Sequence, residues 1–242
     1  MPVMVVKALP DHDSLLTIIV GTELMALLPK KYANRVYRVG ESTVASIFAV
    51  EGSRITLSQR SSQYFRKLVE LILSPLLLEG RMEVKRAATV LNARFAKVSL
   101  RSLNGEDPLP ISIPYLKDLR RYTDDTVTLV KYSPDLREYV INSLSPAPRE
   151  RVKKVIHFQT LREVLVRVEP PYLGLFLGKG GMNVAVASKL VGVSIKIDAV
   201  YIQGSSPKGD VSQKRKKGGS YGRSGSKGRN GKWEGQGQGG DH

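Results

Sequence analysis

The 242-residue chain carries 38 Lys/Arg against 22 Asp/Glu, a formal net charge of +16, and its pI is near 10. It is long enough to bury a substantial core, and its charge favours polyanionic partners, nucleic acid or an anionic membrane face. It has no cysteine, which excludes a disulfide framework, a thiolate nucleophile and a Cys-type zinc site. His12, His157 and His242 are scattered without ligand spacing, so neither a metal nor a cofactor is expected. From Gly204 onward nine Lys/Arg face three Asp/Glu, so +6 of the charge lies in that stretch and +10 upstream of it. The apolar run SLLTIIVGTELMALL carries Glu23 and is too short to span a bilayer. It follows Asp11, His12 and Asp13 rather than the basic lead of a signal peptide. The expectation is a soluble, cytoplasmic protein with no membrane partner.

In chain order, residues 1–60 read as a small all-β unit. MVVKAL, SLLTIIV, ELMALL, STVASIFAV and RITLSQ are short β-branched and aliphatic runs. Asp13, Gly21, Pro29, Gly40 and Gly52 separate them, as expected of a barrel of the oligonucleotide-binding type. At SSQYFRKLVELIL the period changes: Phe65, Leu68, Val69, Ile72 and Leu73 recur at helical spacing, with Ser61 or Ser62 as N-cap and Pro75 beyond the end. The strands RMEVKRAATV and RFAKVSL follow, then the loop NGEDPLPISIP, a weak helix YLKDLRRY and the strand TVTLVKY.

The order then repeats. PDLREYVINSL reads as a helix with Pro134 at its start, and RVKKVIHF and REVLVRV as strands. PYLGLFL, a GKGG turn and MNVAVASKLV form a helix–turn–helix that stops at Gly192, and VSIKID closes the unit as a strand. Beyond Gly204 the chain is Gly, Ser, Lys, Arg and Gln with almost no aliphatic residues. Such a composition cannot offset ordering entropy, so residues 204–242 are expected to be disordered.

The GKGG turn carries the chemistry. A P-loop needs four residues between its first glycine and Gly-Lys, then Ser or Thr; here three separate Gly174 from Gly178, and Gly180 follows Lys179. A dinucleotide fingerprint fails because Asn183 stands where its third glycine belongs. The K-homology (KH) arrangement remains, in which a G-x-x-G turn between two helices clamps about four single-stranded nucleotides. Gly178 and Gly181 lack a Cβ and admit close backbone approach, Lys179 adds a point charge, and the helix from Met182 offers free N–H groups to a phosphate. RNA contacts are expected from Gly178, Lys179, Gly180, Gly181, Met182, Asn183 and Lys189.

These residues give the chain a family resemblance. RITLSQRSSQYFRKLVEL, EGRMEVKRAATVLNARFAKVSL, SPDLREYVINSLSPAP and LGLFLGKGGMNVAVASKLVGVSIKI follow one another in an order and spacing that resembles the NusA transcription factors. The resemblance covers residues 20–200 and is strongest in the second repeat. It implies an α+β fold: an S1 barrel over residues 1–60 and type II KH domains over 61–132 and 133–203, followed by the disordered basic tail. It also implies a non-enzymatic factor that holds nascent single-stranded RNA and modulates elongation, pausing, termination or antitermination, with RNA polymerase as candidate partner and no small-molecule substrate. A KH-type RNA chaperone or ribosome-associated factor, and a scaffold with a relic KH fold, stand as alternatives.

Three departures from the family pattern shape the expectation. The first KH unit has Ile113-Pro114 where a glycine turn belongs, so it is expected to be a scaffold with auxiliary contacts from Lys117, Arg120 and Arg121. The barrel has few rings for base stacking, and Tyr32, Tyr37 and Phe48 are the candidates. With the barrel first in the sequence, the N-terminal polymerase-binding domain of the bacterial family is expected to be missing. The tail sets Lys214, Arg215, Lys216 and Lys217 among glycines, with Tyr221 and Trp233 farther on, a composition suited to electrostatic RNA contact.

Overall fold

The computed structural model describes residues 1–90 and 94–200. The first 58 residues form β1 (Pro2–Leu9), β2 (Ser14–Ile19), β3 (Met25–Pro29), β4 (Ser42–Val44), β5 (Ser46–Glu51) and β6 (Arg54–Ser58). Their sheet order is β4-β1-β2-β3-β6-β5. STVASIFAV is therefore two strands rather than one, divided at Ala45. Val44 pairs with Pro2 on one edge and Ser46 with Ser58 on the other, so the bend joins the opposite edges and closes the sheet on itself. Alternate residues point inward, and Val3, Val5, Leu15, Leu28, Ala45 and Leu57 fill the interior. Tyr37 is also core: it is 6% exposed. Its hydroxyl donates to Asn34 Oδ1 at 2.6 Å and accepts from Gln59 Nε2 at 2.9 Å, which removes it from the stacking candidates.

Two α/β units follow. The first contains α1 (Ser62–Ile72), α2 (Ser74–Leu78), β7 (Met82–Thr89), β8 (Phe95–Ser102), α3 (Pro108–Ser112) and β9 (Thr126–Lys131). Ser61 caps α1, its hydroxyl accepting from Tyr64 N at 3.0 Å, and the apolar stripe Tyr64, Phe65, Leu68, Val69 and Ile72 is buried. Pro75 sits in the first turn of α2 rather than beyond a finished helix, a position where its missing N–H costs nothing. The second unit contains α4 (Leu136–Ser143), β10 (Val152–Phe158), β11 (Glu163–Val168), α5 (Leu173–Leu177), α6 (Met182–Val191) and β12 (Ser194–Ala199). Asp135 caps α4, accepting from Glu138 N at 3.0 Å, and Pro134 lies one residue outside it.

The units share one topology. β7–β8 and β10–β11 are antiparallel, while β8–β9 and β11–β12 are parallel. Parallel neighbours need a long crossover, and the two crossovers differ. In the second unit it is α5, the glycine turn and α6. In the first it is α3 followed directly by a 3-10 helix over Ile113–Arg121. No residue from 106 to 121 has a positive φ, so no left-handed turn interrupts that helical run.

The two units are fastened together. β8 is buried over Ala96–Leu100 on both faces. Ala96, Val98 and Leu100 join the α1 core, whereas Ala88 and Val130 join the core of the second unit beside α4 and α6. Lys97 on the second face is fully buried. Its ammonium donates to Ser143 O and to Ser145 O, the latter at 2.7 Å, and lies 5.5 Å from the centre of the Phe95 ring. These carbonyls end α4, where the helix dipole is negative. Arg86 Nη1 donates to Val191 O at 2.9 Å and Lys189 Nζ to Thr89 O at 2.8 Å, tying α6 to β7.

Burial pushes the Lys97 amine down to about 7 from its ordinary 10.5. Between those values the unfolded chain binds the proton more tightly, so stability contributed here rises with pH above 7 and is lost as pH falls through 7. Denaturant unfolding at pH 7 and pH 9 should show a stability gain of up to ~1.4 kcal/mol per pH unit in the parent, and Lys97→Met should remove that slope.

Candidate nucleic-acid interface

Between α5 and α6 the chain turns on glycine. Gly178 (φ 72°), Gly180 (φ 59°) and Gly181 (φ 74°) are all left-handed, a conformation that costs other residues about 1–2 kcal/mol each. Their roles differ. A Cβ on Gly178 would lie 2.7 Å from the Cβ of Asn183 and 3.0 Å from its backbone nitrogen. Gly178 is thus required for the close approach of α6 to the turn, and the space it leaves is already filled. Gly180 and Gly181 would meet nothing within 4 Å: here the bare main chain faces open space. Gly181 is the N-cap of the ten-residue α6 and supplies no side-chain cap; its N–H donates to Gly178 O at 3.1 Å and that of Met182 to Lys179 O, so two N–H groups at this helix end are met by the turn itself.

The turn forms one wall of a cleft of about 700 Å³. Leu175, Gly178, Lys179, Gly180, Met182 and Asn183 line it from the second unit together with Pro146, while Arg94 and Phe95 line it from the first. The floor is apolar, from Phe95, Pro146, Leu175 and Met182, and the cations Arg94 and Lys179 are both exposed. An apolar floor accepts the face of an unstacked base, and a cationic lip beside free N–H groups accepts its phosphate. Among the described residues no His, Cys, Asp and Glu cluster could hold a metal.

Of the residues expected to contact RNA, Gly178, Lys179, Gly180, Met182 and Asn183 line the cleft, and Gly181 begins α6 beside it. The polar side chains of two of the seven are engaged within the fold. Asn183 is 6% exposed and its amide donates to Leu144 O at 2.9 Å and Phe176 O at 3.0 Å; its side chain braces the turn from inside. Lys189 points away from the cleft to Thr89 O, at 2.8 Å. Lys117 and Arg120 are exposed on the 3-10 helix, and Arg121 pairs with Asp118 at 3.4 Å. Arg120 and Arg121 border a different, polar pocket with Asn34, Arg35 and Tyr122. Lys214, Arg215, Lys216 and Lys217 lie outside the described residues, as do Tyr221, Trp233 and the expected disorder of the tail. Sequence reasoning missed Arg94, Phe95 and Pro146, because a pattern along one repeat says nothing about which residues of its neighbour meet it.

Gly178→Ala must push Asn183 aside and hold a left-handed backbone, so it should destabilise the protein by ~3 kcal/mol in denaturant unfolding, against ~1 kcal/mol for Gly180→Ala.

The family described as NusA-like second KH domain matches residues 136–203, which contain the whole GKGG turn. The chain is similar to the transcription termination/antitermination protein NusA of Halalkalibacterium halodurans, 31% identical over 184 residues, which are 71% of this chain and 47% of the relative. The NusA proteins of Bacillus subtilis (28% identical, covering 72% of this chain and 49% of the relative) and Thermus thermophilus (28%, covering 69% and 44%) match in the same way. The chain spans about half the length of these curated relatives. A closed barrel, two α/β units of one topology and the matched NusA-like second KH domain make the chain similar to the NusA proteins over the stretch they share.

Proposed function

We propose that the protein is a NusA-like RNA-binding factor that holds nascent single-stranded RNA in the GKGG cleft and thereby modulates transcription elongation, pausing, termination or antitermination. The observation that carries this reading is the pair of left-handed glycines, Gly180 and Gly181, with open space on their outer face, set between Lys179 and the apolar floor of the cleft. Packing accounts for the missing Cβ at Gly178, whereas at Gly180 and Gly181 only the left-handed backbone asks for glycine and the space beside it stays open to a ligand.

The proposed extents are a barrel over 1–60, a first KH unit over 61–132 and a second over 133–203. Without a glycine cradle the first KH unit acts as a scaffold: its β8 supplies Phe95 to the cleft wall. RNA polymerase is the proposed protein partner. No helix among the described residues is long and apolar enough to cross a membrane.

Lys179→Asp puts a carboxylate where a phosphate would sit, on an exposed residue whose loss leaves the core intact. It should weaken binding of a short single-stranded RNA at least tenfold by fluorescence anisotropy; unchanged affinity in the folded variant would remove the GKGG site. Removing residues 204–242, which hold nine Lys/Arg, should flatten the dependence of log K on log salt and keep the Lys179-dependent component. Co-purification after nuclease treatment separates the partners: polymerase supports the transcription reading, and ribosomes alone support the chaperone reading.

A further inference from the structure

A polar pocket of about 250 Å³ opens between the barrel and the end of the first crossover. Arg35, Tyr37 and Thr43 line it from the barrel, and Arg120, Tyr122 and Asp124 from the segment ahead of β9. Hydrogen bonds across the junction fix its floor. Tyr122 O accepts from Asn34 Nδ2 and from the Tyr64 hydroxyl, the latter at 3.0 Å, and the Tyr37 hydroxyl lies 3.1 Å from Thr43 Oγ1. The barrel loop beside the pocket is pinned at both ends: Asn34 N donates to Gln59 Oε1 at 3.1 Å, and Gly40 N to Val5 O at 2.8 Å. Between those bonds lie residues 35–39, with the sequence RVYRV.

This face carries cations and aliphatic side chains that the fold does not use. Among the described residues neither Arg35 nor Arg120 forms an ion pair, whereas Arg121 reaches Asp118 at 3.4 Å. Glu41 and Asp124 lie in the field of Arg35 without closing on it. The Arg35 guanidinium sits 4.7 Å from the centre of the Tyr37 ring, so its orientation is set before anything binds. Val36 is 92% exposed and Val39 62%, and neither belongs to the barrel core. Arginine is enriched and lysine depleted in protein–protein contacts, and every cation of this lining is an arginine. A nucleic-acid strand gains less here. Tyr37 is core and Tyr122 half-buried, so no ring in the lining is exposed to take a base. Asp118 and Asp124 stand among the arginines. A strand with a phosphate at every nucleotide meets both carboxylates, whereas a peptide can space its own acids to reach the arginines alone.

We propose that this face is a docking surface for an acidic protein segment with aliphatic side chains, its carboxylates on Arg35 and Arg120 and its apolar groups on Val36 and Val39. The surface does not depend on the GKGG cleft, and the test keeps the two apart. Anisotropy titrations of the full chain would use a labelled peptide of about twelve residues rich in Asp and Leu, the same peptide with serine in place of leucine, and an RNA of about four nucleotides. Arg35→Glu combined with Arg120→Glu sets like charges against the leucine peptide and should weaken it about tenfold or more. Val36→Ser changes a side chain outside the core, so it carries the test even where the double variant does not fold. It should weaken the leucine peptide about threefold or more and leave the serine peptide unchanged. Neither change should move the short RNA, which Lys179→Asp should weaken without affecting the peptide. A parent that does not bind the leucine peptide, or binding that Val36→Ser leaves unchanged, would overturn the docking surface. Equal affinity for the leucine and serine peptides would reduce it to bulk attraction toward a cationic chain and overturn it as well. Loss of the RNA instead of the peptide on arginine reversal would give this face to nucleic acid and end the proposal.

Discussion

The arrangement of the molecule turns on one buried ammonium. An unpaired charge in a protein interior is costly unless hydrogen bonds surround it, and Lys97 meets part of that demand with the carbonyls that end α4. Because those carbonyls belong to the second α/β unit and the lysine to the first, satisfying one group fixes the relative position of two sheets. The cleft is built directly on this bond. Phe95 is two residues from Lys97 on β8, and Pro146 follows the acceptor Ser145. Both walls therefore take their position from the same contact.

Two units of one topology have been put to different uses. Their sheets pair in the same sense and their crossovers occupy the same place in the chain order. Pro108 opens a continuous helical crossover in the first and Pro114 sits in the first turn of its 3-10 half, whereas glycine opens a left-handed turn in the second. The helical crossover presents no glycine, whereas Gly180 and Gly181 leave bare main chain beside open space. The first unit in turn supplies Arg94 and Phe95 to the wall of the cleft.

Much of this was legible in the sequence. The period-two runs of the barrel, the helical spacing of Phe65 to Ile72 and the repeated element order follow from where apolar residues recur. The GKGG turn was legible because glycine doublets after a helix have few other uses. What escaped was set by contacts between repeats. Lys97 and Ser99 alternate with Ala96, Val98 and Leu100 in the pattern of a half-exposed strand, yet α4 and α6 cover that face, and both residues are fully buried. Asn183 looked like a polar residue at a binding turn, and its amide is instead consumed by two carbonyls inside the fold. The division of STVASIFAV at Ala45 was hidden for a related reason: a strand that changes partners midway keeps its hydrophobic character throughout.

That bend at Ala45 reaches beyond the barrel itself. A sheet whose first and last strands are one continuous segment has no open rim of N–H and C=O groups to recruit another chain. The three-stranded sheet of the second unit ends instead in β10 and β12. There Lys153 and Lys154 follow one another across a register irregularity in β10, and Lys196 occupies β12. Charge and a broken ladder do for that sheet what closure does for the barrel. Edge-to-edge pairing is thus disfavoured by geometry at one end of the chain and by lysine at the other, so part of the chain's positive charge is spent along an open sheet edge.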